Sequence, residues 1–325
     1  MSNIFNHLFW ILKKYSIRSI FFRFIEKLSH AKKCDKVQKI DGTVSNYYIA
    51  IVLIIKNEAR YIREWLEYHK IIGIEHFFIY DNGSTDALRL LLEPYIKSNI
   101  VTYHYCPGSC MQIPAYNDAI VRYREKSKWL AFIDSDEFIV FPEKCNISSF
   151  LKQYEKYPAL GVNWIVFDSN GFIKRPNSGF VLSNYTRIYK ENDVPQNRHI
   201  KTIIQPQYAK LCTNPHFIEL RQGFYINENF EKIQPPISLH NTTKKIQINH
   251  YHSKSKEEYK EKILRGRAPL IQKKEFNESD YNFQSHLTKK SNLDLSEYIL
   301  KLKEVIPETY GPQYDALHSN GNIQR

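Results

Sequence analysis

Cysteine is sparse and unpaired in this chain of 325 residues: Cys34, Cys106, Cys110, Cys145 and Cys212 lie scattered along it. Cys106 and Cys110 have the spacing of a turn, but no second pair stands near to complete a zinc site. An odd number without a framework points to a reducing compartment rather than a disulfide scaffold. Long apolar runs are missing too. No stretch approaches the ~18–20 residues of a membrane span. Basic residues break the N-terminal apolar segment too early for a signal peptide, and no small-residue cleavage site follows. Internal repeats and low-complexity tracts are absent. So is any recognisable nucleic-acid module, and the net charge of +12 is therefore not read as nucleic-acid binding.

What is present is enough to fold. With 42% hydrophobic and 14% aromatic residues, the chain is not disordered and buries a sizeable core. Its charge is uneven. Residues 1–40 hold nine basic and two acidic side chains, while Phe5, Leu8, Phe9 and Leu12, then Ile17, Phe21, Phe24, Ile25 and Leu28, recur at helical spacing. That pattern predicts an interfacial helix lying on an anionic membrane surface. Residues 1–47 are accordingly expected to form a basic amphipathic segment with a linker, 48–267 a catalytic domain and 268–325 a helical extension.

From Tyr48 the pattern alternates. Tyr48–Ile55, Phe77–Tyr80, Ile100–Tyr105 and Trp129–Ile133 read as buried strands. Helical faces lie between them over 57–69, 86–96 and 114–126, the second closed near Pro94. Strands alternating with helices predict an α/β fold with a mostly parallel sheet. Gly161–Phe167 and Ile200–Ile204 add two strands. Residues 168–199 and 212–245 read as loops around a site, and 255–267 and 293–305 as charged helices.

The strand at 129–133 runs into Asp134-Ser-Asp136-Glu-Phe138. Ligands of open α/β sheets bind beyond the carboxyl ends of the strands, where these acids sit. Side chains two apart on an extended chain point the same way, ~6.5–7 Å apart. Two such carboxylates call for a cation, and Mg²⁺ or Mn²⁺ prefers oxygen ligands shared with a phosphate. Asp81, at the end of its strand in Tyr80-Asp-Asn-Gly-Ser-Thr-Asp86, is placed to accept hydrogen bonds from a base or ribose, with Ser84 or Thr85 as helix cap. In His250-Tyr-His-Ser-Lys-Ser255, His250 is a candidate metal ligand and Lys254 a point charge for a diphosphate. His216 rivals His250.

The order and spacing of five stretches resemble GT-A glycosyltransferases, in detail glycosyltransferase family 92 and its bacterial family 2-like relatives: Ile55–Trp65, Tyr80–Asp86, Gln112–Asp118, Trp129–Phe138 and Asn249–Lys254. The resemblance implies a GT-A type fold, Rossmann-like, and transfer of a hexose, galactose by preference, from a UDP-sugar with inversion. By it, Lys56, Asn57 and Glu58 line the nucleoside pocket and Asp81 contacts uracil. Gln112, Asn117 and Asp118 lie near the ribose or donor sugar. Asp134, Asp136 and His250 hold Mn²⁺ or Mg²⁺, and Lys254 binds the diphosphate. The sequence departs from the family pattern at Asp168, in Phe167-Asp-Ser-Asn-Gly171. Asp168 and Glu219 are the candidates for general base. The implied acceptor is a surface glycan, lipopolysaccharide or lipid-linked oligosaccharide, at the cytoplasmic face of an inner membrane. Two alternatives stand beside this: an aspartyl-phosphate phosphatase, although Phe138 stands where Thr or Val is usual, and a non-catalytic sugar-nucleotide-binding protein.

Overall fold

The computed structural model describes residues 47–191, 194–266 and 287–306. The chain divides into Met1–Ile40 and Asp41–Arg325, and every described residue belongs to the second unit. Nearly all of the expected basic N-terminal segment, and most of the expected extension from 268 onward, lie outside the described residues.

The first strand, β1 (Tyr47–Ile55), is followed by helix α1 (Ala59–Ile71), β2 (His76–Asp81), α2 (Leu88–Lys97), β3 (Val101–Tyr105), α3 (Gln112–Tyr123) and β4 (Ser127–Phe132). The strands lie in the order β4-β1-β2-β3, all parallel. Register keeps the carboxyl ends of β1, β2 and β3 level, with Ile55 opposite Asp81 and Asp81 opposite Tyr105. The near-continuous burial of β1, β2 and β4 is what a parallel strand covered on both faces demands. On α1, within the helical stretch expected over 57–69, the face of Ile62, Trp65, Leu66 and His69 is buried. Pro94 does not close α2 but lies inside it. The carbonyl four residues back, left without its usual helical bond, belongs to Leu90, a residue that is 68% exposed.

Beyond β4 the chain is less regular. A tight turn leads to β5 (Glu137–Val140), then a short helix α4 (Ile147–Leu151), β6 (Ala159–Val166), α5 (Val181–Asn184), β7 (Arg187–Tyr189) and β8 (Ile200–Ile204). Next come the hairpin β9 (Ala209–Asn214) and β10 (Phe217–Leu220), the short β11 (Tyr225–Ile226) and β12 (Lys232–Ile233), and β13 (Gln247–His250). Helix α6 (Lys256–Arg265), β14 (Thr288–Lys290) and α7 (Ser296–Val305) complete the described elements. The regions expected to be loops thus contain short strands, too brief for any hydrophobic period to announce them. β8 runs antiparallel between β4 and β6 and extends the sheet. β13 joins β6 in parallel and β5 antiparallel, setting His250 opposite both Glu137 and Val166.

The edge of β5 away from β13 is covered by α1. Trp65 Nε1 donates to Glu137 O at 2.7 Å, Tyr68 Oη donates to Ile139 O at 2.9 Å, and His69 Nε2 accepts from Ile139 N at 3.3 Å. These bonds satisfy backbone groups that a buried strand edge would otherwise leave unpaired. They also fix the strand that carries the acidic turn.

Candidate active site

The acidic turn does not present its two aspartates alike. Asp134 and Asp136 lie past the end of β4, in the turn before β5, so the extended-chain geometry that puts them on one side does not hold. Asp134 accepts from Lys201 Nζ at 2.8 Å and from Gln112 Nε2 at 3.0 Å, with Tyr116 Oη at 3.3 Å. The Lys201 side chain is 1% exposed and also lies 3.3 Å from Glu137, which is fully buried. Glu137 in turn accepts from the Asp134 N–H at 2.8 Å. Burial pushes the Glu137 carboxyl up to about 8, against the pull of Lys201. Lys201 is held well above its usual value because Asp134 and Glu137 outweigh the cost of burying it.

Asp136 faces the other way, into a cleft of about 490 Å³ at the carboxyl end of the sheet. Asn57, Glu58, Lys254, Lys262 and Arg265 share its lining. Ligand atoms of Asp136, His250 and His252 lie within 4.8 Å of one another, and among the described residues no other such group of three occurs. His250 Nε2 is 3.7 Å from Asp136 Oδ2. His250 Nδ1 is buried with no hydrogen-bond partner, and burial pushes its imidazole down, toward the neutral form that ligates metals. One carboxylate and two imidazoles suit a first-row divalent ion such as Mn²⁺, and the arrangement fits one. Burial alone would raise the Asp136 carboxyl, yet Lys262, His250 and Lys254 hold it well below the usual range.

The cations come from α6 and the turn before it. Ser255 caps that helix in a reciprocal pair with Glu258, and Gly266 ends it at φ 87. Lys262 Nζ reaches Asp136 Oδ2 at 2.5 Å, His252 Nδ1 at 3.2 Å and His252 O at 3.0 Å. Lys254 lies 3.3 Å from Glu58 and 3.9 Å above the Tyr61 ring. Arg265 donates to Glu58 at 2.8 Å and to the carbonyls of Lys56 and Asn57 at 2.6 and 3.0 Å. Asn57 (φ 52) and Lys254 (φ 49) both hold left-handed backbones at the cleft. For Lys254 that costs about 1–2 kcal/mol, which its neighbours must outweigh.

Other sequence candidates stand elsewhere. Asp81 is buried at the end of β2, its oxygens accepting from Ser84 N and Tyr103 Oη at 2.7 Å each. Neither Ser84 nor Thr85 caps α2: Ala87 is at that position, and Asp86 accepts from the N–H groups of Leu88 and Ala59. Ser84 and Thr85 bond Asn57 instead, joining the two loops. Asn117 bonds Cys212 N and O, tying α3 to β9. Asp118 pairs with Arg122 and Tyr80. Asp168 is buried, accepting from Asn170 N and lying 3.7 Å from Arg187. Glu219 sits on the hairpin beside Lys210. His216 bonds Ile200 O and packs on Trp164, outside the Asp136 group. Sequence reasoning missed His252, Lys262, Arg265 and Lys201. The first was legible as the alternate residue after His250, and the next two as an i, i+3 pair on one helical face.

A family model of Glycosyltransferase family 92 matches residues 51–300. The chain belongs to glycosyltransferase family 92. A family 92 protein of Oryza sativa subsp. japonica is 28% identical over 219 residues, 66% of this chain and 35% of that one. A galactan beta-1,4-galactosyltransferase of Arabidopsis thaliana is 29% identical over 211 residues, 59% of this chain and 37% of that one. The chain thus spans little more than a third of these relatives. Among solved structures, S. aureus TarS aligns at a TM-score of 0.35 with 16% identity, covering 49% of this chain and 47% of its own. The GT-A type α/β fold expected from the sequence is the one found, in family and in strand arrangement. No helix among the described residues is long and apolar enough to cross a membrane.

Proposed function

We propose that this chain transfers a hexose from a UDP-sugar to a glycan acceptor in a cation-dependent reaction. The observation that carries the reading is the meeting of Asp136 and His252 with Lys254, Lys262 and Arg265 in one cleft, with His250 beside Asp136 to complete the cluster. Its volume falls in the range of small-molecule sites. Asp136, His250 and His252 hold Mn²⁺ or Mg²⁺, with Asp134 bracing the turn from behind. A divalent ion there supplies positive charge to a departing diphosphate. Lys254 and Arg265 add charge without any proton transfer, and Asn57 and Glu58 wall the nucleoside side.

Galactose is the proposed donor sugar because several relatives are galactan beta-1,4-galactosyltransferases. The proposed acceptor is a surface glycan such as lipopolysaccharide, met at the inner membrane through the basic segment of residues 1–40. Inversion requires a general base, and Asp168 and Glu219 remain its candidates. Asp168 is favoured, because it follows β6, whose Val166 lies beside His250.

Calorimetry of the full chain with UDP-galactose, in Mn²⁺ and in chelator, tests the reading. Mn²⁺-dependent binding is expected in the wild type and its loss in Asp136→Asn, with turnover falling at least about a thousandfold. UDP-sugar binding indifferent to the metal, or none at all, overturns it.

A further inference from the structure

The position of Lys262 has a consequence for how the cleft loads. Its ammonium bonds Asp136 Oδ2 and His252 Nδ1, groups of the same cluster that fits a divalent ion. Its third bond, to His252 O, completes the three donors an ammonium offers. Lys262 is thus a counter-cation seated among the metal's own ligands. A carboxylate oxygen cannot keep a lysine at hydrogen-bond distance and bind a divalent cation beside it without strong repulsion between the two. The lysine must leave when the metal arrives.

The helix allows that movement. α6 is anchored by Tyr259 and Ile263, both buried, and by the Ser255–Glu258 cap, while the Lys262 side chain is 25% exposed on the cleft side. A four-carbon stem with rotatable bonds can swing while the backbone stays. Of the other cations lining the cleft, Lys254 and Arg265 are occupied differently: both pair with Glu58. An anion entering the cleft with the metal offers Lys262 a new partner, and a diphosphate is such an anion.

Resting on the function proposed above, we propose that Lys262 exchanges Asp136 for the donor's diphosphate as the metal binds. In the empty cleft it neutralises Asp136. In the loaded cleft it contacts the leaving group. The exchange couples the two ligands: metal releases the lysine and the diphosphate receives it, so each favours the other.

The test is calorimetry of the full chain with Mn²⁺ alone, and with UDP in saturating Mn²⁺, for the wild type, Lys262→Met and Lys254→Met. Lys262→Met is expected to bind Mn²⁺ alone roughly tenfold more tightly and UDP with Mn²⁺ roughly tenfold more weakly, the scale of one charge-assisted bond. Lys254→Met is expected to weaken UDP without that gain in Mn²⁺ affinity. Unchanged Mn²⁺ binding in Lys262→Met, or an equal gain in Lys254→Met, overturns the exchange. If Lys262→Met unfolds, Lys262→Arg replaces it. Its wider, delocalised cation still competes for Asp136, so Mn²⁺ binding near wild type is expected, and a tenfold gain overturns the exchange. A wild type without metal-dependent UDP binding fails the functional reading itself, whatever the variants do.

Discussion

The two sides of one turn carry similar groups in opposite roles. Behind it, Asp134 and Glu137 close on Lys201, which is almost wholly buried, and Gln112 and Tyr116 complete the shell. In front, Asp136 meets two imidazoles and a half-buried lysine at the wall of an open cleft. The inner charges are satisfied within the protein and hold the turn in shape. The outer ones are satisfied only provisionally, by a lysine whose place a ligand can take. A lysine buried with its glutamate acts on folding, and a charge pair at a cleft acts on binding, though both acids sit on the same four-residue segment.

The sharpest way to break that contrast is to remove the inner cation. Lys201→Met leaves Asp134 and the buried Glu137 without their partner. Leaving a buried polar group without its partner costs about 1–3 kcal/mol, more where it is charged, and a loss of about 3 kcal/mol of unfolding free energy is expected in urea. Asp136→Asn, on the outer side, leaves a lysine that is 25% exposed and can turn to water in the cleft, so it is expected to cost less stability than Lys201→Met while losing metal-dependent activity. Equal stability losses in the two variants would erase the distinction between frame and site.

Acid tests the same division more gently. His69, under β5, is fully buried, and burial pushes its imidazole down to about 3. An unfolded imidazole titrates near ~6.5. Below that value the unfolded chain takes up a proton that the folded chain refuses, so stability falls as pH drops toward about 3 and is level above ~6.5. At about pH 5 one such histidine costs about 2 kcal/mol. His76 and His104, both lowered to about 4, add to the effect. Unfolding free energies measured at neutral pH and at about pH 5 are expected to differ by about 2 kcal/mol less in His69→Gln than in the wild type. An identical pH dependence would remove His69 from the frame.

The frame was far more legible in the sequence than the site. Continuous apolar runs such as Ile49–Ile55, short and rich in β-branched residues, read as strands covered on both faces, and the helical face of Ile62, Trp65, Leu66 and His69 is periodic. Asp136 and His250 were visible because strands ended beside them. What stayed hidden depends on contacts far apart in sequence. Lys201 passed without remark in the strand read at Ile200–Ile204, since nothing local says that a lysine in a buried strand faces two carboxylates 60 to 70 residues away. Lys262 looked like one more charge on a charged helix, and only the fold brings it to Asp136. The equal standing given to Asp134 and Asp136 came from treating the turn as extended chain.

The smallest expected effect separates the two candidate bases. Glu219 lies on the β9–β10 hairpin, a two-stranded sheet apart from the main one, and its 3.3 Å pair with Lys210 is largely exposed. Such pairs contribute about 0–1 kcal/mol, so Glu219→Gln is expected to keep the wild-type stability to within that margin. Asp168 instead follows β6, and its backbone N–H bonds Arg187 O while the neighbouring Phe167 N–H bonds His250 O. That puts it one residue from the strand bearing a proposed metal ligand. A general base contributes about a hundredfold or more, so Asp168→Asn is expected to lose at least that in kcat with KM for the donor little changed, and Glu219→Gln less than about tenfold. Steady-state kinetics on both variants decides between them. A loss confined to Glu219→Gln would move the acceptor to the hairpin, onto the side of the turn assigned here to the frame.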